Sequence, residues 1–156
     1  MAVDFSKCLQ TKVADTRPMP VLPIGTYFAK IKNYKERQLT RDGTTQTIVV
    51  FPIQILMADE DVDHEQLAEF KAQGEFSAIN LSRDVFLTES EIAEIALHPV
   101  RRFLAEVAKV DVDEPGLSFA EALSRAAGKD VKVHIAHKMT KDGKGIIMNI
   151  DAVVAN

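Results

Sequence analysis

Hydrophobic positions follow a period of two in some segments of the chain and helical spacing in others. The pattern over Thr26–Gln38 predicts a strand, and the apolar run Thr45–Met57 predicts a second strand, buried on both faces over part of its length. Further strands are predicted at Phe76–Leu81, Val131–Met139 and Ile146–Val154. Pro52 inside the second strand indicates a bulge or an edge register at that point.

Helical spacing lies mainly between the third and fourth predicted strands. A weakly helical, acidic segment over Val62–Ala72 precedes the third strand and stops at Gly74. Thr88–Val110 has the clearest helical pattern, and Thr88 with Glu91 forms a capping box at its start. Pro99 predicts that this run is kinked or split near His98, because proline removes a backbone donor.

A shorter helix is predicted just before the last two strands. Ser118 and Glu121 form a second capping box, the helix runs through Ala127, and Gly128 stops it. Two Asp-Gly pairs predict the hairpin turns Arg41-Asp42-Gly43-Thr44 and Lys141-Asp142-Gly143-Lys144.

The first 25 residues are predicted to form an extended N-terminal arm. Pro18, Pro20 and Pro23 disfavour both a helix and a central strand there. Apolar residues in the same segment indicate that the arm packs on something. Docking on its own domain is favoured, and exchange with a neighbouring subunit, which would make a homo-oligomer, is the alternative.

These elements predict an α+β protein that is mainly β. Residues 26–156 are expected to form a single OB-like domain, a five-stranded, partly open barrel with a helical insertion between strands 3 and 4.

Composition narrows the class of protein. The longest apolar runs are too short to cross a bilayer, the N-terminus does not resemble a signal peptide, and Cys8 is the only cysteine. We therefore expect a cytoplasmic protein without disulfides or a membrane partner. The net charge of −4 argues against coating duplex DNA, but the charges are unevenly distributed. Residues 26–57 and 129–144 each carry five basic and two acidic side chains, whereas residues 59–69 carry six acidic side chains and no lysine or arginine.

No catalytic or metal-binding constellation is recognisable. Asp59, Asp61 and Asp63 resemble the start of a calcium loop, but His64 and Phe70 stand where that loop requires glycine and glutamate. The sequence contains no phosphate loop and no nucleophile with a nearby base. We therefore predict a binding protein that is not an enzyme and needs no metal or cofactor.

The first predicted strand carries the most informative pattern. Tyr27, Ala29 and Ile31 suit a core, and the opposite face then carries two aromatic side chains and two lysines. Rings that stack on unpaired bases beside lysines that neutralise phosphates are what a single-strand binder needs. Candidate binding residues on this strand are Phe28, Lys30, Lys32 and Tyr34; on the fourth strand Lys132, His134 and Lys138; and near the hairpin tips Arg37, Arg41, Lys141 and Lys144. The alternative is that Phe28 or Tyr34 packs under the arm or the long helix.

Three stretches carry a resemblance to a known family. They are Leu22-Pro-Ile-Gly-Thr-Tyr-Phe-Ala-Lys-Ile-Lys, the apolar second strand, and Ala127-Gly-Lys-Asp-Val-Lys-Val with the final hairpin, together about half of the chain. In these the chain resembles phage-encoded single-stranded-DNA-binding proteins with an OB-type barrel. The resemblance implies a stacking mode of binding, replication, recombination or repair proteins as partners, and the host cytoplasm as the location. Many such proteins end in an acidic tail, whereas residues 151–156 here are mostly apolar.

The sequence thus predicts sequence-tolerant binding of single-stranded DNA. A protein–protein interaction module, structural or inhibitory, is the rival hypothesis. In that case the acidic segment Asp59–Glu69 would be the surface that contacts the protein partner.

Overall fold

Six strands form one antiparallel sheet in a computed structural model that describes residues 4–15, 20–143 and 145–156. The strands are β1 (Gly25–Ile31), β2 (Lys35–Arg41), β3 (Thr44–Ala58), β4 (Leu81–Phe86), β5 (Asp130–Met139) and β6 (Ile146–Ala155). The helices are α1 (Phe5–Cys8), α2 (His64–Gln73), α3 (Ala93–Ala96), α4 (His98–Glu106) and α5 (Phe119–Ala126), with 3₁₀ turns at Val13–Asp15 and Phe76–Ala78.

β3 is the long central strand of the sheet. One of its edges pairs with β2 and then with β1, and its other edge pairs with β4. β5 pairs with the free edge of β1, and β6 pairs with β5. β4 and β6 therefore lie at the two ends of the sheet, and no ladder joins them in the described part of the chain. The sheet is not closed.

The predicted count of five strands is wrong because the first predicted strand is divided at residues 32–34. Ile31 pairs with Ile53 and Lys35 pairs with Val50, so residues 32–34 lie opposite only Phe51 and Pro52. The backbone N–H of Lys32 donates to the Pro52 carbonyl at 2.8 Å, but Pro52 has no N–H to return the bond. The ladder breaks there, and the chain bulges before pairing resumes.

The core lies on one side of the sheet. Alternate residues of β1, β3 and β5 point into it, and α4 and α5 cover it with their apolar faces. Phe51 of β3 stacks on Phe103 of α4 with ring centroids 4.3 Å apart. The strand residues in this core cluster are Tyr27, Ala29, Ile31, Val49, Phe51, Ile53, Ile55, Val85, Val131, Val133 and Ile135.

The helical predictions are partly confirmed. Asp63 caps α2 and Gly74 ends it, and Ser118 caps α5 by accepting from the N–H of Glu121. The long run splits at His98, as Pro99 predicts, because proline fits the first turn of α4.

Two other predictions about this region are wrong. The capping box at Thr88 does not form: the Thr88 N–H donates to the Ala96 carbonyl, and the first helix of the run starts only at Ala93. The third strand starts at Leu81, because Phe76–Ala78 forms a 3₁₀ turn whose Phe76 packs on Tyr27 and Phe70. No helix in the described residues has the length and apolar character needed to cross a membrane.

The last residues of the N-terminal segment dock on the protein's own sheet. Leu22 is fully buried; its N–H donates to the Met148 sulfur at 3.1 Å, and its carbonyl accepts from His137 Nε2 at 2.6 Å. The Tyr27 hydroxyl, whose pKa is raised by burial, donates to the Pro23 carbonyl at 2.7 Å. Earlier in the segment a short helix, α1, occurs where only extended chain was expected, and residues 16–19 lie outside the described residues.

Asp61 links the loop after β3 to the start of β1, and the link should make stability depend on pH. Its carboxylate accepts from the Thr26 backbone N–H and hydroxyl, both at 2.8 Å, and these bonds lower the pKa of Asp61. The stabilisation is present above the ordinary carboxyl pKa and is lost as pH falls through the lowered pKa. We expect Asp61→Ala to reduce the free energy of unfolding by about 1 kcal/mol at pH 7, with the difference shrinking near pH 3.

Urea unfolding at the two pH values measures this effect. Glu60→Ala removes a neighbouring exposed carboxylate and is the matched control. An Asp61→Ala loss that stays constant between the two pH values would contradict the assignment.

Candidate nucleic-acid interface

The side of the sheet opposite the core, here called the outer face, is the surface on which the predicted binding residues can meet. In β1 the alternation is as predicted: Tyr27, Ala29 and Ile31 are buried, while Phe28 and Lys30 point outward and are half-buried. Phe28 lies between Met57 of β3 and Lys132 of β5 in the ladder. Cross-strand neighbours share a face, so β1, β3 and β5 present one continuous surface.

Phe28, Lys132 and Asp59 form a compact group at the centre of the outer face. The ammonium nitrogen of Lys132 lies 4.9 Å from the centroid of the Phe28 ring, within cation–π range. The same nitrogen lies 3.6 Å from Asp59 Oδ2. Among the described residues the ring is half-buried and outside the core cluster; a lysine covers it, and that lysine is held by a carboxylate.

Carboxylates border this centre, and we call Asp59, Asp61 and Asp151 the acidic border. Asp151 Oδ2 lies 3.3 Å from Nδ1 of His134, the next outward residue of β5 after Lys132. Asp61 binds Thr26, which lies opposite His134 in the ladder. Asp59 and Asp61 belong to the acidic segment Asp59–Glu69 and precede the predicted helix Val62–Ala72. The structure places them in the loop before α2, in contact with outer-face side chains.

The break at residues 32–34 opens a groove across the outer face of β3, here called the outer-face groove, of about 530 Å³. Lys32 and Lys35 stand on one side, and the segment that leads into β4 stands on the other. Among the described residues that line it, these two lysines are the only charged ones. The uncharged lining residues are Val50, Pro52, Ile53, Gln54, Ser77, Ile79, Asn80, Leu81 and Ser82.

Lys35 is a residue that sequence reasoning missed. Counting by twos from Phe28 places Lys35 on the core side, but the extra residue in the break reverses the alternation. Lys35 then faces the same side as Val50, and Arg37 lies two residues further along that face. Pro52 was the available signal, since a missing ladder donor in a central strand predicts a break in its neighbour.

The remaining predicted residues lie away from the centre. Arg37 is on β2, not at a hairpin tip, and its guanidinium lies 3.2 Å from Asp84 of β4. Arg41 flanks the tight turn Asp42-Gly43, whose two positive φ angles fit a two-residue hairpin. Tyr34 lies in the break and is 41% exposed.

Lys138 and Lys141 belong to the β5–β6 hairpin at the other end of the face. Gly25 pairs with Ile135, so the end of β5 extends beyond the start of β1, away from Arg41. Lys144 lies outside the described residues. The predicted residues therefore form a central group, with Phe28, Lys30, Lys32, Lys132 and His134, and two separate flanks.

The described residues do not bring three metal-ligating side chains together. His134 and His137 lie on different faces of β5: one contacts Asp151 and the other binds the Leu22 carbonyl. No protein-family model and no curated protein matches this chain.

Proposed function

We propose that the protein binds single-stranded DNA across the outer face of its sheet. The observation that carries the proposal is the outer-face groove, whose only charged lining residues in the described structure are Lys32 and Lys35. The groove lies beside Lys30, which is opposite Gln54, and Phe28 is the next outward residue of β1. A cationic groove beside an aromatic ring is the arrangement used for sequence-tolerant binding of single strands.

Charge distribution supports the proposal despite the net charge of −4. The groove and centre contribute Lys30, Lys32, Lys35 and Lys132, whereas the carboxylates nearest the centre are occupied by Lys132, Thr26 and His134. Local potential in a groove governs attraction of a polyanion more than net charge does. Four phosphate contacts on a single strand would give a salt slope of roughly −3 in log affinity against log salt.

The strand order supports an OB-type interpretation of the fold. If β1 and β2 are counted as one bent first strand, the sheet has five strands, and β3, β4, β5 and β6 are the second to the fifth. Their order across the sheet is β4, β3, the bent strand, β5 and β6, and α3–α5 lie in the chain between the third and fourth strands. In OB-type barrels the face of the second and third strands, together with the loops joining strands 1–2 and 4–5, binds oligonucleotides. Here that face is β3 with β4, where the outer-face groove lies.

Binding requires Lys132 to change partner. In the unbound protein it covers the Phe28 ring and contacts Asp59. A backbone phosphate can replace the Asp59 carboxylate as its partner, and the uncovered ring face is then free for a base. Stacking of one base on an aromatic side chain contributes about 1–3 kcal/mol.

Fluorescence anisotropy with a labelled oligo-thymidine of about 30 residues tests the proposal, with a duplex and an RNA oligonucleotide of equal length for comparison. We expect tight binding of the DNA single strand that weakens steeply with salt, with a slope of roughly −3. Lys35→Gln should make that slope shallower by about 0.7, the value of one phosphate contact on a single strand.

Lys109→Gln is the matched control, since Lys109 lies in the loop after α4 and outside the groove. Equal effects of the two substitutions would show that total charge, and not the groove, determines affinity. Absence of binding at low salt would overturn the proposal and turn attention to Asp59–Glu69 as a protein-binding surface.

Phe28→Ala should weaken binding of the single strand by about 1–3 kcal/mol, because one stacking platform is lost. The half-buried ring lies outside the core cluster, so thermal unfolding should change little. Phe119→Ala, which truncates a partly buried ring packed against that cluster, is the comparison for stability. A large fall in melting temperature with unchanged affinity would assign Phe28 a structural role.

Asp59→Asn should tighten binding, because Lys132 is no longer held by a carboxylate and a phosphate meets less repulsion. The amide keeps an oxygen that can accept the Glu60 N–H, which Asp59 Oδ1 accepts at 2.8 Å. Glu60→Gln removes the same charge one residue away and should have a smaller effect. In the Phe28→Ala background the gain from Asp59→Asn should shrink, as a double-mutant cycle measures. Equal gains in both backgrounds would contradict the partner exchange.

A further inference from the structure

A second groove, here called the seam groove, lies where the two ends of the sheet fail to join. It has a volume of about 550 Å³ and is bounded by β4, α4 and Val153 of β6. No backbone hydrogen bond crosses between β4 and β6 within residues 20–143 and 145–156. The lining residues are Arg83, Asp84, Val85, Phe86, His98, Pro99, Arg102, Phe103, Glu106, Val107 and Val153.

Charge in the seam groove is only partly neutralised. Asp84 is held by Arg37 at 3.2 Å and accepts from the Ser82 hydroxyl at 2.9 Å, both from outside the groove. Glu106 pairs with Arg102 at 3.2 Å. In the described part of the chain neither Arg83 nor His98 has an ion-pair or hydrogen-bond partner from a side chain, and both are exposed.

An aromatic side chain accompanies Arg83 and Arg102 in this groove. Phe86, at the end of β4, is 44% exposed although it is a large apolar residue in a strand. Phe103 of α4 and Val107, the residue that follows α4, give the groove an apolar wall beside it. Cations beside an exposed ring are the same chemistry that Lys132 and Phe28 present on the outer face.

β4 joins the two grooves. Leu81 and Ser82 line the outer-face groove, and the four residues that follow them line the seam groove. Successive side chains of a strand point to opposite sides, so Ser82, Asp84 and Phe86 share the outer-face side of β4, whereas Arg83 and Val85 share the side of Phe51 and α4. A chain that leaves the outer-face groove across β4 therefore meets Arg83 at once.

We propose that single-stranded DNA bound in the outer-face groove continues over the edge of β4 into the seam groove. There Arg83, with His98 and Arg102 nearby, binds its phosphate backbone, and Phe86, which lies on the outer-face side of the β4 edge, offers a surface for a base at the entrance. This inference rests on the proposed function and adds a second segment to the binding path. With this second segment, the affinity for single-stranded DNA depends on the length of the DNA, because only a long strand reaches the residues of the seam groove.

A length series tests it with the full chain, using oligo-thymidines of about 5 and about 16 residues, which span the site sizes known for one OB-type domain. Arg83→Gln should weaken binding of the long strand roughly threefold or more and make its salt slope shallower by about 0.7. Binding of the short strand should stay unchanged. Phe86→Ala should show the same dependence on length.

Lys32→Gln is the matched control in the first groove and should weaken both oligonucleotides. Thermal unfolding of each variant verifies that the fold is retained. Arg83→Gln and Phe86→Ala variants that bind the long strand like the wild type would overturn the inference, and so would equal losses at both lengths. In either case binding by the wild type would leave the proposed function intact. Failure of the wild type to bind either strand would overturn the proposed function itself.

Discussion

The missing N–H of Pro52 is the constraint on which the outer face depends. Pro52 lies in the middle of the central strand, and its carbonyl accepts a hydrogen bond from the Lys32 N–H. Because proline has no N–H, it cannot donate the second hydrogen bond of the pair. The neighbouring strand therefore divides into β1 and β2 and gains one residue. That residue reverses the alternation along β2 and brings Lys35 and Arg37 to the face that Lys30 already occupies. The same break leaves space for the outer-face groove.

The basic and aromatic side chains at the centre of the outer face already have partners within the protein. Its central ring is covered by Lys132, and Lys132 is in turn held by Asp59, so the unbound surface is electrostatically satisfied. Exposed ion pairs of this kind contribute little to folding stability, typically below about 1 kcal/mol. A strong polyanion can therefore compete for the lysine at small cost to the fold. In the proposed binding mode the acidic border would limit affinity and favour phosphates that approach along the groove.

The open seam follows from the way the core is covered. α4 and α5 pack their apolar faces on the core side of the sheet, with Phe103 stacked on Phe51. Because α4 already covers the core near β4, burial of apolar surface there does not require β4 and β6 to pair. The edge of β4 stays available, and Arg83 and Phe86 remain exposed beside it.

The sequence by itself determined the elements whose signals are local. Periodicity located β3, β5, β6 and α2; Asp-Gly located the β2–β3 turn; Ser118, Pro99 and Gly128 marked helix boundaries. It also assigned Phe28 and Lys30 to the outward side of β1, because alternation within one uninterrupted strand depends only on that strand. The capping-box pattern at Thr88 was misleading, because the Thr88 N–H donates to the carbonyl of Ala96, eight residues later, and no helix starts there.

Tertiary structure alone decided which distant residues share a surface. The register between β1 and β5 places Lys132 on Phe28, and the loop after β3 brings Asp59 to Lys132. The break opposite Pro52 moves Lys35 to the outer face, and the gap between β4 and β6 exposes Arg83. Each of these depends on pairing between segments far apart in the chain. Residue spacing along one segment carries no information about register with another, so only the folded sheet could specify these contacts.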